Sequence, residues 1–427
     1  MDRNTTSVVQ AERTPGSLLE GGPVAAGGID PGPWDFLAPP TIRFGAGRLD
    51  EVGQIAAALG NRAWLVGGRR SLLATERRER IEQSLRSAGL GVDLAVVSSG
   101  EPTVDDVAAA LAGLPAGARD GVVVVAVGGG AAIDLAKAVA TLSTNLPPGL
   151  SPHDYDVGIV DRLEGVGRGI AITRPPLPVV ALPTTAGTGA EATRNAVISC
   201  PRRGFKKSLR SPLMMPRAVV VDPDLTAGCD RATIAASGLD CITQLIESFL
   251  CRVRRPLPRA LVLEALPRVV LALPRLLVDP ADAEARGAMA HGALLSGMAL
   301  ANSGLGMAHG VAAALGVECG APHGLACGLM LPVALAANAP VAWRDYALLE
   351  RAVDPEGPAD DRAAAARFEA RIGGVCAAAG LPTRLSELGL RRERIAWLAE
   401  NSGGSSMRGN PRELDPATLA EILTAAW

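Results

Sequence analysis

Aromatic residues make up only 3% of this 427-residue chain, histidine occurs four times, and none of the seven cysteines forms a CxxC pair. Scattered cysteines of odd number (200, 229, 241, 251, 319, 327 and 376) argue against a disulfide scaffold or a thiolate zinc site, and fit a reducing compartment. A formal net charge of −2 gives no bulk electrostatic sign of nucleic acid or an anionic membrane as a partner. No run of about 18 uninterrupted apolar residues occurs, and the first residues lack a basic segment followed by an apolar one. With 48% hydrophobic and 20% charged residues, the expectation is a cytoplasmic globular protein long enough for two domains.

Residues 1–33, rich in Gly, Pro, Thr and Ser without periodicity, are expected to form a disordered tail. From Thr41 the character changes. Short β-branched runs at 63–66, 93–97 and 122–127 alternate with amphipathic stretches at 50–59, 71–88 and 104–114. That alternation predicts βαβ units and a doubly wound parallel sheet. After Val219-Val220-Val221-Asp222-Pro223 the strand signals stop, and helical runs follow at 234–252, 258–277, 283–301, 311–315, 326–338, 363–379 and 416–426. The expected organisation is an α/β dinucleotide-binding domain over 34–225 and an all-α metal and substrate domain over 226–427.

Two glycine-rich segments carry the first chemistry. The run at 122–127 leads directly into Gly128-Gly129-Gly130 and then a helical stretch containing Asp134 and Lys137. A strand that ends in glycines and opens a helix lets backbone amides approach phosphate oxygens at the positive end of a helix dipole. The same glycines also suit a tight turn that binds nothing. In Pro183-Thr184-Thr185-Ala186-Gly187-Thr188-Gly189-Ala190-Glu191, small hydroxyls interleaved with glycine can line a ribose, or form an ordinary turn.

Polar residues inside apolar helical stretches carry the second. Asp240 and Gln244 stand i and i+4, on one helical face, and a charged residue there requires a partner if buried. His309 and His323 each lie beside glycine at the start of a helical run; either suits a ligand or a satisfied core residue. His153 and His291 read as structural. The pocket is expected to draw on Asp154 and Tyr155 and on residues 302–309.

Taken together, Gly128-Gly129-Gly130 with Asp134 and Lys137, the Thr-rich segment, Gly238-Leu239-Asp240, Gly304 to His309, Pro322-His323-Gly324 and Gly409-Asn410-Pro411-Arg412 resemble the iron-containing (group III) alcohol dehydrogenases. The likeness runs from about Thr41 to Trp427. It implies a pyrophosphate held at Gly128–Gly130, with Asp134 nearby, and a ribose and nicotinamide lined by Thr184, Thr185 and Thr188. It also implies contact with the cofactor at Lys206, or its neighbour Lys207. A divalent metal, Fe²⁺ or Zn²⁺, is held in such proteins by one Asp and three His, and Asp240, His309 and His323 match three of those positions. The chain departs at Gln244, where a ligand histidine is usual, and at Ala313, where a second histidine normally lies near the nicotinamide. Gln244 is retained as the fourth candidate ligand through its amide oxygen, a weaker donor than imidazole.

The implied function is NAD(P)-dependent reduction of an aldehyde or ketone, or oxidation of the alcohol. The carbonyl is polarised by the metal or by His309 and His323, by a homodimer or larger homo-oligomer acting on a small-molecule substrate. Arg69 and Arg70, standing where the family often has a ribose-binding Asp, favour the 2′-phosphate of NADP(H). Two alternatives remain: a non-redox lyase or cyclase that uses bound NAD, as in the similarly folded dehydroquinate synthase, and a catalytically silent homologue.

Overall fold

The computed structural model describes residues 33–68, 75–98, 100–113 and 120–427. Nearly all of the expected tail, together with Arg69 and Arg70, lies outside these residues.

The strands of the first half are β1 (Thr41–Phe44), β2 (Arg62–Gly68), β3 (Gly91–Ser98), β4 (Val122–Gly128), β5 (Val179–Pro183), β6 (Asn195–Cys200), β7 (Phe205–Arg210) and β8 (Ala218–Val221). Its helices are α1 (Val52–Ala57), α2 (Thr75–Ser87), α3 (Val104–Ala112), α4 (Gly130–Asn145) and α5 (Pro152–Val160). Six strands form a parallel sheet in the order β1-β8-β5-β4-β2-β3, and β6 and β7 form a separate antiparallel hairpin.

β4 shows why a parallel strand reads as an unbroken apolar run. Val122, Val124 and Ala126 enter the core beneath α3, α4 and α5, whereas Val123, Val125 and Val127 enter the opposite core beneath α1 and α2. With both faces covered there is no polar alternation. Each of these valines contributes roughly 1.5–3 kcal/mol by leaving water. β4 is thereby fixed at the sheet centre, with Gly128 at its carboxyl end, the edge at which open α/β sheets bind ligands.

The second half contains α6 (Arg231–Leu250), α7 (Pro256–Val278), α8 (Ala283–Asn302), α9 (Met307–Cys319), α10 (His323–Val353), α11 (Asp361–Ala379), α12 (Ile395–Asn401), α13 (Ser405–Gly409) and α14 (Pro416–Ala425). Among the described residues no strand follows β8. α6 is buried on all sides from Gly238 to Leu250, packed by α7, α8 and α10, and so buries Asp240, Gln244 and Glu247 along with its apolar residues.

α10 is long and apolar enough to cross a bilayer, but it is an inner helix against α6, α9 and α11. It also runs past the expected stop at residue 338, through Pro332 and Pro340, to Val353. An interior proline costs about 3 kcal/mol; burial of Ala342, Tyr346 and Leu349 beyond it offsets that cost.

Candidate active site

The two glycine-rich segments meet. α4 begins at Gly130, with Gly129 as its N-cap and, among the described residues, no capping side chain on its first amides. The amide of Thr184 donates to the Gly128 carbonyl at 3.0 Å, which joins the end of β5 to the end of β4. A Cβ on Gly129 would stand 3.0 Å from Thr185 Oγ1, and one on Gly130 would stand 2.6 Å from Thr188 Oγ1. The loop is therefore glycine because the threonine segment lies directly against it. Together they form one wall of backbone amides and hydroxyls.

Asp134 and Lys137 sit beneath that wall rather than on it. Asp134 accepts from the Val197 amide at 2.9 Å and faces Lys137 Nζ at 3.2 Å. Lys137 in turn donates to the Ala190 carbonyl and to Thr193 Oγ1, both at 2.8 Å. Both side chains are buried and tie α4 to β6 and to the threonine segment. Lys206 projects from β7, paired with Glu101 at 2.6 Å. Its Nζ also stands 3.9 Å from where a Cβ on Gly316 of α9 would lie, so β7 reaches the helical half there.

In the helical half, α6 presents Asp240, Gln244 and Glu247 on one face. The first turn of α10 crosses α6 so closely that a Cβ on Gly324 would stand 2.4 Å from the Ala236 carbonyl oxygen. That approach brings His323 Nε2 to 3.9 Å from Asp240 Oδ1. From α9, His309 Nε2 reaches 3.3 Å from the same oxygen. Cys327, one turn after His323, has its Sγ 3.7 Å from His323 Nε2. One donor atom from each of Asp240, His309, His323 and Cys327 falls within a 4.8 Å cluster.

The far side of His309 is fixed. Its Nδ1 meets Glu247 Oε2 at 2.6 Å, and Glu247 Oε1 accepts from the Ala308 amide at 2.6 Å, so one carboxylate both caps α9 and orients the imidazole. Asn410, from the terminal motif, accepts from the Met307 amide at 3.0 Å and exchanges hydrogen bonds with Asn338. With Nδ1 committed, Nε2 is the atom presented to Asp240.

Burial works against the Asp240 carboxylate, but the adjacent His309 and His323 outweigh it and hold its pKa below the usual range. Burial lowers the His323 pKa to about 4 and pushes the Cys327 thiol up to about 12. His309 is raised well above its ordinary value: Cys327, Asp240 and Glu247 overcome the effect of burial. Both Asp240 oxygens and His309 Nε2 are buried without a hydrogen-bond partner among the described residues. A buried carboxylate requires a neighbouring cation, either an imidazolium or a metal ion. The donor set of carboxylate, imidazole and thiol therefore fits a divalent metal.

Gln244 is buried beside this cluster, with its Oε1 2.8 Å from Ser296 Oγ. Ala313 lies on α9 one turn beyond His309 and supplies no polar atom. Two expected pocket residues are placed elsewhere: Asp154 takes part in the exposed N-cap of α5 with Ser151, and Tyr155 is in the α/β core. Asn302 bonds the backbone of Leu37, tethering the segment before β1. Sequence reasoning missed Glu247 and Cys327, although each had a signal, at i+7 from Asp240 and i+4 from His323.

The model for iron-containing alcohol dehydrogenases matches residues 39–223, and that for the C-terminal part of the same family matches 234–427. The chain belongs to the iron-containing alcohol dehydrogenase family, and it is an oxidoreductase acting on CH–OH groups with a nicotinamide cofactor. Among its relatives, the probable alcohol dehydrogenase EutG of Salmonella typhimurium is 32% identical over 92% of this chain and 94% of its own. The crystal structure of 1,3-propanediol oxidoreductase superposes with a TM-score of 0.82 at 27% identity, covering 92% of this chain and all of that one. Sulfoacetaldehyde reductase from Bifidobacterium kashiwanohense, solved with NAD⁺, gives a TM-score of 0.79 at 29% identity, covering 92% and 98%.

Proposed function

We propose that the wall formed by Gly128, Gly129, Gly130, Thr184, Thr185 and Thr188 holds the dinucleotide, and that Asp240, His309 and His323 form the opposite, metal-holding side of one cleft. The observation that carries this reading is the buried Asp240 carboxylate, neither oxygen of which has a hydrogen-bond partner among the described residues, set between two imidazoles. The substrate class is a small alcohol or aldehyde.

In the reducing direction a bound dinucleotide would supply the hydride for the carbonyl carbon, and the carbonyl oxygen would take one proton. The metal, when bound, supplies Lewis acidity at that oxygen. The protein's own residues do the rest. The α4 amides and dipole bind the pyrophosphate, and the threonine hydroxyls orient the ribose. Asp240 and His309 hold the metal, His309 in the tautomer that Glu247 sets. His323, from the first turn of α10, joins them as the third protein ligand through Nε2.

For cofactor choice, the guanidiniums of Arg69 and Arg70 support NADP(H), while the sulfoacetaldehyde reductase holds NAD⁺. Comparison of NADPH and NADH turnover in the wild type and in an Arg69→Ala/Arg70→Ala variant decides it. A fall in kcat/KM confined to NADPH supports the arginine reading, and an equal effect on both overturns it. Residence in the cytoplasm and a homo-oligomeric state complete the proposal, the latter checked by light scattering.

The central test is metal content of chelator-free protein together with NAD(P)H oxidation on an aldehyde panel, before and after EDTA. Near-stoichiometric metal with EDTA-sensitive turnover is expected. Undiminished turnover without metal transfers carbonyl polarisation to His309 and His323. Protein that neither holds metal nor oxidises cofactor with any aldehyde overturns the reading.

A further inference from the structure

Four ligand atoms around a small dication in a tetrahedron, at about 2.0–2.3 Å from it, lie roughly 3.3–3.8 Å from one another. The spacings found here are 3.3 Å for His309 to Asp240, 3.7 Å for His323 to Cys327 and 3.9 Å for His323 to Asp240. With its spacings to Asp240 and His309 also inside 4.8 Å, Cys327 stands where it can take a corner of such a figure as the donors draw in around an ion. His323 and Cys327 stand i and i+4 on the first turns of α10, so the same helix placement that delivers the imidazole delivers the sulfur.

The competing fourth donor is Gln244. Its amide is engaged with Ser296, a side chain of α8 that has no exposed surface. A neutral amide oxygen is also the weaker donor to a dication of borderline softness, whereas thiolate suits zinc. The second indication is the Asp240 carboxylate, 1% exposed, both of whose oxygens lack a hydrogen-bond partner among the described residues. These atoms require a cation, and Cys327 Sγ lies inside the cluster they define.

We propose that Cys327 is the fourth metal ligand of this chain, giving an Asp-His-His-Cys site that takes Zn²⁺ in preference to Fe²⁺, with the sequence position of Gln244 no longer ligating. Binding replaces the thiol proton, which leaves to solvent, and one sulfur–metal bond forms without oxidation or reduction. The inference rests on the reading that Asp240, His309 and His323 hold a metal.

The test uses the full chain stripped of metal and reloaded with Co²⁺ or Zn²⁺. Cobalt-loaded wild type is expected to show a near-ultraviolet sulfur-to-cobalt charge-transfer band at one cobalt per chain. The Cys327→Ser variant should lose that band, whereas Gln244→Ala should keep both band and stoichiometry. In the zinc-loaded wild type, X-ray absorption should find one sulfur neighbour at about 2.3 Å, a measurement that needs no variant to fold. One cobalt bound without a charge-transfer band, a band unchanged in Cys327→Ser, or an all-nitrogen-and-oxygen zinc shell overturns the cysteine assignment and leaves the three-residue site standing. Wild type that retains neither ion overturns the metal reading itself, and this inference with it.

Discussion

The two halves of the molecule build their chemistry from different parts of the chain. In the α/β half the binding wall is mostly backbone, presented by consecutive residues after β4 and β5, and its buried side chains Asp134 and Lys137 only brace it. In the helical half the working atoms are side chains brought together from α6, α9 and α10, and held by partners from the chain's last segment. A backbone site is hard to alter by substitution, because the glycines are fixed by what presses on them. A side-chain site can exchange one ligand for another wherever two helical turns offer a donor to the same point.

If that contrast is right, the largest single effect falls in the helical half. Asp240→Asn should lower metal retention by more than about 100-fold, beyond the 10–100-fold typical of outer partners, read as metal content after dialysis.

Next comes Glu191, buried where the threonine segment meets α8. Burial raises its pKa to about 7 against the opposing pull of its own backbone amide and Lys137. The native state then keeps a proton that the unfolded chain has released, so stability falls as pH rises from about 4.5 to 7 and levels off above. Glu191→Gln should abolish that slope. The difference between pH 5 and 7.5 is expected to be about 2.4 kcal/mol, measured by denaturant unfolding at several pH values.

In the α/β half, Gly130→Ala places a Cβ 2.6 Å from Thr188 Oγ1. It should destabilise by about 1–3 kcal/mol and weaken dinucleotide binding, seen by cofactor fluorescence, with metal content unchanged. Metal loss in this variant would break the separation of the two halves. The smallest effect is expected for Glu247→Gln, which keeps the α9 cap but weakens the hold on His309 Nδ1. Metal affinity should fall about 10–100-fold, measured by competition with a chelating dye.

How much of this could be read in the sequence follows the same division. The glycine loop, the threonine segment and the parallel α/β class were legible because each is a contiguous stretch with its own local physics. β5, β6 and β7 were not separated from loop: β5 runs directly into the threonine segment, and β6 has only six residues, alternately buried and half-buried, before Pro201. The length of α10 was hidden because local proline rules are overridden by burial on three sides. Helical spacing and glycine context picked out Asp240, His309 and His323, and the family resemblance assigned them the metal-ligand role. Cys327 was passed over because its partners lie on other helices and no paired-cysteine spacing announces a mixed His and Cys set.

The Asn410 cap on α9 has a consequence for the order in which the protein can be completed. The group that secures the first amide of the His309 helix lies 103 residues further along. A growing chain that has just produced α9 thus holds His309 in an unfinished helix end. Glu247, made earlier in the chain, secures the next amide and His309 itself, so Asn410 adds only the last contact at the α9 end of the pocket.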